Sequence, residues 1–453
     1  MADQSGPMSL ASPIKRFQIK GLFGDRDVDI RFDEPVMVLI ADNGSGKTTI
    51  LSMIYAVLSR QLYKLRKHNF ESITVETANG RVITISAEMA EVGLMSAKLE
   101  PRLRRLLHKV PEEDLYRLSE ETRGLRHPDV RHHPMLIHMA ETAGLPPAYI
   151  LDVLRSEMIH GPTGDSPSLF ENENVRRHLS EAFPFTNLYF PTYRRIEEEL
   201  EDLGYTRKEG FRGEGLIRFG MSDVTQRIRD ITGRIEKSSV EWYSRISGQM
   251  LSQLVDGITV VDELKRIQDK SALKIVLDRV GNNISAERKN RIMQLVESGD
   301  IAQLQYETLV YFLANLINVY DQQKESDAAI KEFTRVCNKY LTDKQVVYNE
   351  STVDLRVVHK SNEKPVELAK LSSGEKQIVS LFSRVYLENG AKLAVLFDEP
   401  ELSLSIEWQK MLLPDIMDSG KCSFLLATTH SPFVFENALD GKAHDLTRFV
   451  QRK

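Results

Sequence analysis

Ala41-Asp42-Asn43-Gly44-Ser45-Gly46-Lys47-Thr48-Thr49 has the residue types and spacing to hold phosphate. An apolar run, Val36 to Ile40, precedes it, and a helical pattern beginning Ile50-Leu51 follows. Strand, glycine-rich loop, helix is the order a phosphate-binding P-loop requires. Backbone N–H groups from Asn43 through Gly46 would converge on phosphate oxygens, and the helix start at Lys47, Thr48 and Thr49 adds a favourable dipole. In this arrangement Lys47 reaches the β- and γ-phosphates, and the Thr48 hydroxyl sits on Mg²⁺. Ala41 stands where the motif usually opens with glycine. Its small side chain fits if the backbone there needs no positive φ. The bland alternative, a glycine-rich turn without a ligand, suits this flanking context poorly.

A second constellation lies near the other end. Leu371-Ser372-Ser373-Gly374-Glu375-Lys376-Gln377 precedes an apolar run, Leu393 to Phe397, which ends in Asp398-Glu399-Pro400-Glu401. A buried strand here would deliver Asp398 to the magnesium shell and place Glu399 to orient or deprotonate an attacking water. Another apolar run, Phe424 to Thr428, ends at Thr429-His430-Ser431-Pro432. Taken singly these signals are weak. An Asp-Glu pair after a strand is usually a solvated strand end, and a lone histidine is usually structural.

All of them in this order resemble the ABC/SMC-like ATPase superfamily. The resemblance implies an α/β fold: an ABC-type P-loop NTPase head, a mixed sheet with flanking antiparallel strands, carrying an inserted helical subdomain or short helical hairpin. It makes residues 371–377 the signature motif, residues 402–405 the D-loop, and His430 the switch histidine that contacts the γ-phosphate. Sites of this class are composite. Ser372, Ser373, Gly374 and Glu375 would therefore face the ATP of a partner copy, so the working unit is at least a homodimer, or a higher oligomer. ATP and Mg²⁺ are the implied cofactors. Slow hydrolysis of ATP is the implied reaction, with Lys47, Glu399 and His430 as its catalytic residues and Thr48 and Asp398 as metal ligands.

The elements that must position these residues are legible in outline. Ile14 to Ile19 and Asp27 to Phe32 alternate as antiparallel strands around Gly21-Leu22-Phe23-Gly24. The resemblance puts such opening strands near the adenine. Phe23 is then either a nucleotide neighbour or a core anchor. Thr49 to Lys67 reads as one amphipathic helix, and two strands flank Asn79-Gly80 as a hairpin. Residues from about 89 to 182 lack strand alternation and are punctuated by prolines. His127, His132, His133 and His138 cluster there, but their spacing matches no zinc pattern, and a surface segment is the preferred reading.

Asn187 to Pro191 is an apolar strand running into Thr192-Tyr193-Arg194-Arg195-Ile196-Glu197. The paired arginines suit either phosphate or a salt bridge to the glutamates that follow. From Glu198 to about Thr342 the chain is helical and charged. It ends in a long helix, Ile301 to Leu341, with one apolar stripe. The expected organisation is a disordered tail (1–12), an N-terminal ATPase half (13–90), a helical insertion (91–184), a return to the core (185–200), a helical arm (201–350) and a C-terminal ATPase half (351–453).

Composition bounds the rest. The chain has 453 residues, 41% hydrophobic and 28% charged, with a net charge of −5 and two cysteines. That is ordinary for a globular protein and gives no overall basic field for nucleic acid. Few cysteines suggest a reducing cytoplasm. No stretch approaches the ~20 apolar residues of a membrane span, so no membrane partner is expected. Transporter cassettes place the signature far closer to the P-loop than Ser372 lies to Lys47, which argues against that class.

The single short-armed cassette and the Phe190-Pro191-Thr192-Tyr193-Arg194-Arg195 segment resemble overcoming-lysogenization ATPases. They also resemble the ATPase subunits of PARIS and, secondarily, Septu anti-phage systems. That implies a sensor and scaffold holding a separate nuclease or toxin subunit, triggered by a phage protein or DNA. The alternative is a DNA-binding repair or chromosome-maintenance ATPase.

Overall fold

The computed structural model describes residues 12–42, 44–91, 118, 133–152, 169–191, 221–256, 263–388 and 392–453. The chain divides into two compact units. The first comprises 1–217, 392–414 and 422–453, and the second 218–391 and 415–421. The expected C-terminal half, 351–453, is thus shared between them.

The first unit holds two sheets. Strands β1 (Ile14–Leu22), β2 (Arg26–Arg31), β4 (Ser72–Thr77), β5 (Val82–Ser86) and β13 (Val450–Arg452) form an antiparallel sheet in the order β13-β2-β1-β4-β5. Gly80, at φ 78°, supplies the left-handed residue of the β4–β5 turn. The second sheet is parallel throughout, in the order β12-β3-β11-β10-β6. Its members are β3 (Val36–Ile40), β6 (Thr186–Phe190), β10 (Leu393–Asp398), β11 (Cys422–Thr429) and β12 (Ala443–Asp445). Every residue of β10 is buried, as expected of a parallel strand covered on both faces.

Helix α1 (Lys47–Leu58) packs on β10, β11 and β6. It is shorter than the helix expected over 49–67. Ser59 closes it by turning its hydroxyl back to Tyr55 O at 2.6 Å, and Arg60 takes φ 62°, which no helix can continue. A 3₁₀ turn covers Leu62–Lys67. Helix α2 (Ala87–Glu91) follows β5, and α3 (Pro134–Ala143) and α4 (Leu169–Ala182) lie within the first insertion. Of the four clustered histidines, His127 and His132 lie outside the described residues, as do Thr192 to Glu197. Among the described residues no group of His, Cys, Asp and Glu is arranged to hold a metal ion. One core joins the two sheets of this unit, with Phe17, Ile54, Phe183 and Phe424 among its fully enclosed members.

The second unit is mostly helical. It contains α5 (Met221–Asp256), α6 (Glu263–Arg266), α7 (Lys270–Arg279), α8 (Ala286–Ser298), α9 (Glu307–Tyr340) and α10 (Ser373–Leu387). A three-stranded antiparallel sheet, β7 (Lys344–Asn349), β8 (Asp354–His359) and β9 (Pro365–Val366), lies between α9 and α10 in sequence. The long helix begins at Glu307, because two 3₁₀ turns occupy Asp300–Ala302 and Leu304–Tyr306. Its apolar stripe, with Val310, Leu313, Ala314 and Ile317, packs against Leu273, Val276 and Leu277 of α7 and forms a compact local core. Helix α11 (Ile406–Met417) follows the Asp398 strand. Both cysteines are free and buried. No described helix is long and apolar enough to cross a membrane.

Candidate active site

Parallel register aligns the chemistry of the first unit. Ile40 lies opposite Thr429, and Thr428 lies opposite Asp398. The carboxyl ends of β3, β11 and β10 therefore stop on one line. Ligands in open α/β sheets bind at that edge. The loop after β3 carries the glycines and leads to Lys47. The turns after β10 and β11 carry Glu399 and His430.

The P-loop conformation depends on two glycines. Gly44 and Gly46 adopt φ 82° and 91°, a region L side chains enter at a cost. Ala41 is not left-handed, so it replaces glycine without strain, and its N–H bonds Thr429 O at 3.2 Å. No side chain caps the N-terminus of α1, so the helix offers its first N–H groups to an anion. A Cβ on Gly46 would stand 3.3 Å from the Phe23 ring. Phe23 is 44% exposed, holds φ 58°, and carries the Arg26 guanidinium over its face at 5.4 Å. Arg26 also donates to Ser45 O at 3.4 Å. The aromatic residue of the opening strands is thus a wall of the loop rather than a core anchor. Asn43 lies outside the described residues. Ser45 and Thr49 are half-buried on the loop and the first turn of α1, while Thr48 is exposed at its start.

Lys47 is 5% exposed, and its Nζ lies 2.7 Å from Glu399 Oε1 and donates to Ala41 O at 3.5 Å. Asp398 is fully buried and accepts from the Thr428 hydroxyl at 2.6 Å. Glu399 is held at φ 51°, with its N–H on Thr428 O at 2.9 Å. A left-handed glutamate is strained by about 1 kcal/mol or more, a cost that recurs at functional sites. Beneath Asp398, Tyr189 stacks on Tyr55 of α1 with centroids 5.0 Å apart. Burial, reinforced by the Asp398 charge, pushes the Tyr189 hydroxyl far above its ordinary value. Thr48 and Asp398 offer hard oxygen donors, which suit Mg²⁺.

His430 is half exposed and is held from behind by Glu401, whose role the sequence reading missed. Glu401 Oε1 accepts from the His430 N–H at 3.0 Å and lies 2.9 Å from Nδ1. The signal was the second carboxylate in Asp398-Glu399-Pro400-Glu401. Only the parallel pairing of β10 with β11 shows what it faces.

The signature residues belong to the second unit. Ser372 is the N-cap of α10, and its hydroxyl accepts from the Glu375 N–H at 3.3 Å. Glu375 in turn accepts from the Ser372 N–H at 2.8 Å and bridges Lys344 at 3.1 Å. Ser372 and Ser373 are exposed, while Gly374 and Glu375 are buried. The Glu375 carboxylate is engaged by the capping box and by Lys344, and so shapes the loop.

Residues 272–436 match a family described as "AAA domain, putative AbiEii toxin, Type IV TA system", and residues 16–120 match a second family described as "AAA domain". Among solved structures, the chain is similar to an Smc head bound to the C-winged helix domain of ScpA. Identity is 12%, with 93% of this chain and 90% of that one covered, at TM-score 0.33. A Pyrococcus furiosus Smc head with an extended coiled coil, bound to the C-terminal domain of ScpA, gives the same values. A Pyrococcus yayanosii Smc head with a coiled coil and joint is 14% identical over 93% of this chain and 92% of that one, at TM-score 0.31. No curated protein matches the chain in sequence. The two family matches span the P-loop on one side and the Asp398–His430 edge on the other, and both are described as AAA domains.

Proposed function

We propose that this chain binds ATP with Mg²⁺ on its P-loop, completes the site with Ser372 and Gly374 of a second copy, and hydrolyses ATP slowly to switch that assembly. The observation that carries the reading is the meeting of Lys47 and Glu399, 2.7 Å apart, at the sheet edge that also bears Asp398 and His430. Lys47 and the uncapped start of α1 supply positive charge for the phosphates. Thr48 and Asp398 would hold Mg²⁺. Glu399 accepts the proton of the attacking water or orients it. A ligand that bridges two copies favours the dimer by its differential affinity for the two assembly states.

The test is mass photometry of Glu399→Gln with and without Mg-ATP, alongside phosphate release by the parent. ATP-dependent dimers of the variant and slow turnover by the parent support the reading. A parent that neither binds nor hydrolyses ATP would sink it.

The finer role we assign is a cytoplasmic sensor and scaffold that sequesters or activates a separate nuclease or toxin subunit in anti-phage defence. It is supported by the resemblance of the short-armed cassette to such ATPase subunits and by the toxin–antitoxin description of the family matched over residues 272–436. Co-expression with genomic neighbours, followed by pull-down in Mg-ATP, tests it. A nuclease or toxin recovered with the chain supports the role. A chain that recovers no neighbour, and whose ATPase rises steeply with DNA at low salt, belongs to DNA maintenance instead.

A further inference from the structure

We propose that Glu401 is a positioning residue for His430. Its buried carboxylate holds the imidazole by Nδ1, so that Nε2 is the nitrogen presented to the terminal phosphate. The second half of this statement rests on the ATPase reading, and the first does not.

The geometry begins with the pairing of β10 and β11. Asp398 and Thr428 are register partners, so the turns that leave these strands run side by side. Glu401 and His430 are their residues at the point of contact. One carboxylate oxygen, Oε1, accepts from the backbone N–H of His430 at 3.0 Å and lies 2.9 Å from its Nδ1. A carboxylate oxygen only accepts, so its approach to Nδ1 favours the ring form with the proton on that nitrogen. The ring's other nitrogen is thereby the free one, on a side chain 46% exposed, while Glu401 is 6% exposed.

A turn needs no charge to satisfy one backbone N–H. A buried carboxylate is costly unless paired, and Glu401 Oε2 has no hydrogen-bond partner among the described residues. A neutral amide would cap the turn at lower cost. Placing a carboxylate there breaks a local rule, and such breaks concentrate at functional sites.

A second side chain ties the same two turns. Gln409 of α11 donates to Leu404 O at 3.0 Å and Glu401 O at 3.3 Å, and its Oε1 accepts from the Ser431 hydroxyl at 2.7 Å. The turn after β10 also contains Glu399 and Ser403, both left-handed at φ 51° and 62°. Its shape is therefore held against backbone preference, and it carries Glu401 to His430 in one orientation. Carboxylate partners behind functional histidines fix ring orientation and tautomer in the same way, and losing one typically costs about 10–100-fold in activity.

The experiment uses the full chain labelled with ¹⁵N-histidine, the parent beside Glu401→Leu and Glu401→Gln. Long-range ¹H–¹⁵N spectra read the His430 tautomer, with the signal assigned by its loss in His430→Gln. The parent should carry its proton on Nδ1. Glu401→Leu should shift the population to the Nε2–H form and lower kcat by about 10–100-fold, with KM changed by less than about threefold. Glu401→Gln keeps an acceptor oxygen but not the charge, so it should retain the tautomer, with kcat between those of the parent and Glu401→Leu. A parent protonated on Nε2 alone overturns the proposal, as does a Leu variant with the parent's tautomer and kcat. If Glu401→Leu does not fold, the parent's tautomer and the Gln variant still decide. A parent without ATPase activity removes the phosphate contact, while the tautomer still tests the hold of Glu401 on His430.

Discussion

Lys47 Nζ and Glu399 Oε1 are 2.7 Å apart, with the two side chains 6% and 15% exposed. The amine that would neutralise a γ-phosphate and the carboxylate that would handle the attacking water thus hold each other. An incoming phosphate would compete with Glu399 for Lys47, and the exchange would release the carboxylate when there is something for it to act on.

Glu399→Gln should therefore do two things. It removes the proposed general base, which should lower turnover by about 10²–10⁴-fold. It also removes the carboxylate 2.7 Å from the buried Lys47 amine, which should lower the melting temperature without nucleotide. Mg-ATP resupplies negative charge, so the ATP-induced shift in melting temperature should exceed that of the parent. Differential scanning fluorimetry with and without Mg-ATP checks this. Lys47→Ala should show no ATP-induced shift at all, and an undiminished shift in that variant would remove the lysine from the site.

Gly46 makes a second prediction. It sits at φ 91°, and a Cβ would press on Phe23 at 3.3 Å. Gly46→Ala should cost about 1–2 kcal/mol in stability for the left-handed backbone. It should also weaken ATP binding by about tenfold or more, as the loop's N–H groups lose aim on the phosphates. Phe23→Ala, at an exposed position, should leave stability within about 0.5 kcal/mol. Combining the two relieves the steric contact but not the φ strain, so the double variant should recover part of the binding and none of the backbone cost. Fluorescent-nucleotide titration and urea midpoints separate the two effects. Full additivity in binding would show that ring and loop are uncoupled.

The residues that phosphate chemistry demands were legible because their types and order are hard to assemble otherwise. Lys47, Asp398, Glu399 and His430 follow apolar strands in sequence, and the structure sets those strands side by side. Glu401 was not legible as a partner of His430, because their meeting depends on which strand neighbours which. The helix from Thr49 was drawn too long for a local reason: Arg60 in a left-handed conformation leaves no mark on apolar periodicity. Strand β7 fell inside the expected helical arm of 201–350, since a strand beside charged residues shows little alternation. The grouping of 351–391 with the helical unit rests on contacts distant in sequence, such as Lys344 with Glu375, which no window reading samples.

A pH dependence is built into the antiparallel sheet. Arg16 bonds both oxygens of Asp29, at 2.6 and 2.7 Å. That hydrogen bonding, with the attraction of the same guanidinium behind it, holds the Asp29 carboxyl below its usual value despite some burial. A group whose pKa falls on folding stabilises the fold above its unfolded value and loses that contribution as pH drops through the folded one. Both partners are about one-third exposed, so Asp29→Asn should cost only about 0.5–1 kcal/mol at neutral pH. The difference between parent and variant should begin to shrink near the ordinary aspartate value of about 3.9 and vanish at lower pH. Urea midpoints across a pH series check it, and a gap that persists in strong acid would show that the pair's charge is not its source.

The second unit has its own polar anchor. Asp327 of α9 is 1% exposed and accepts from Arg279 Nη2 at 2.7 and 2.9 Å and from the Tyr348 hydroxyl. Arg279 closes α7 and also donates to Gln323 Oε1 at 2.6 Å and Glu350 O at 3.0 Å. Gln323 donates to Ile235 O of α5 at 3.0 Å. Two long helices, one short helix and a strand end therefore meet on one charged pair. Removing one member of a buried pair is far worse than replacing both, because the survivor keeps its desolvation cost without its partner. Asp327→Ala should cost about 3–5 kcal/mol, while Arg279→Met with Asp327→Leu should fall well short of the sum of the single losses. Equilibrium urea unfolding of the three variants decides. If the double variant is as unstable as the summed singles, the pair acts through its wider network of Gln323, Tyr348 and Glu350 rather than through mutual neutralisation.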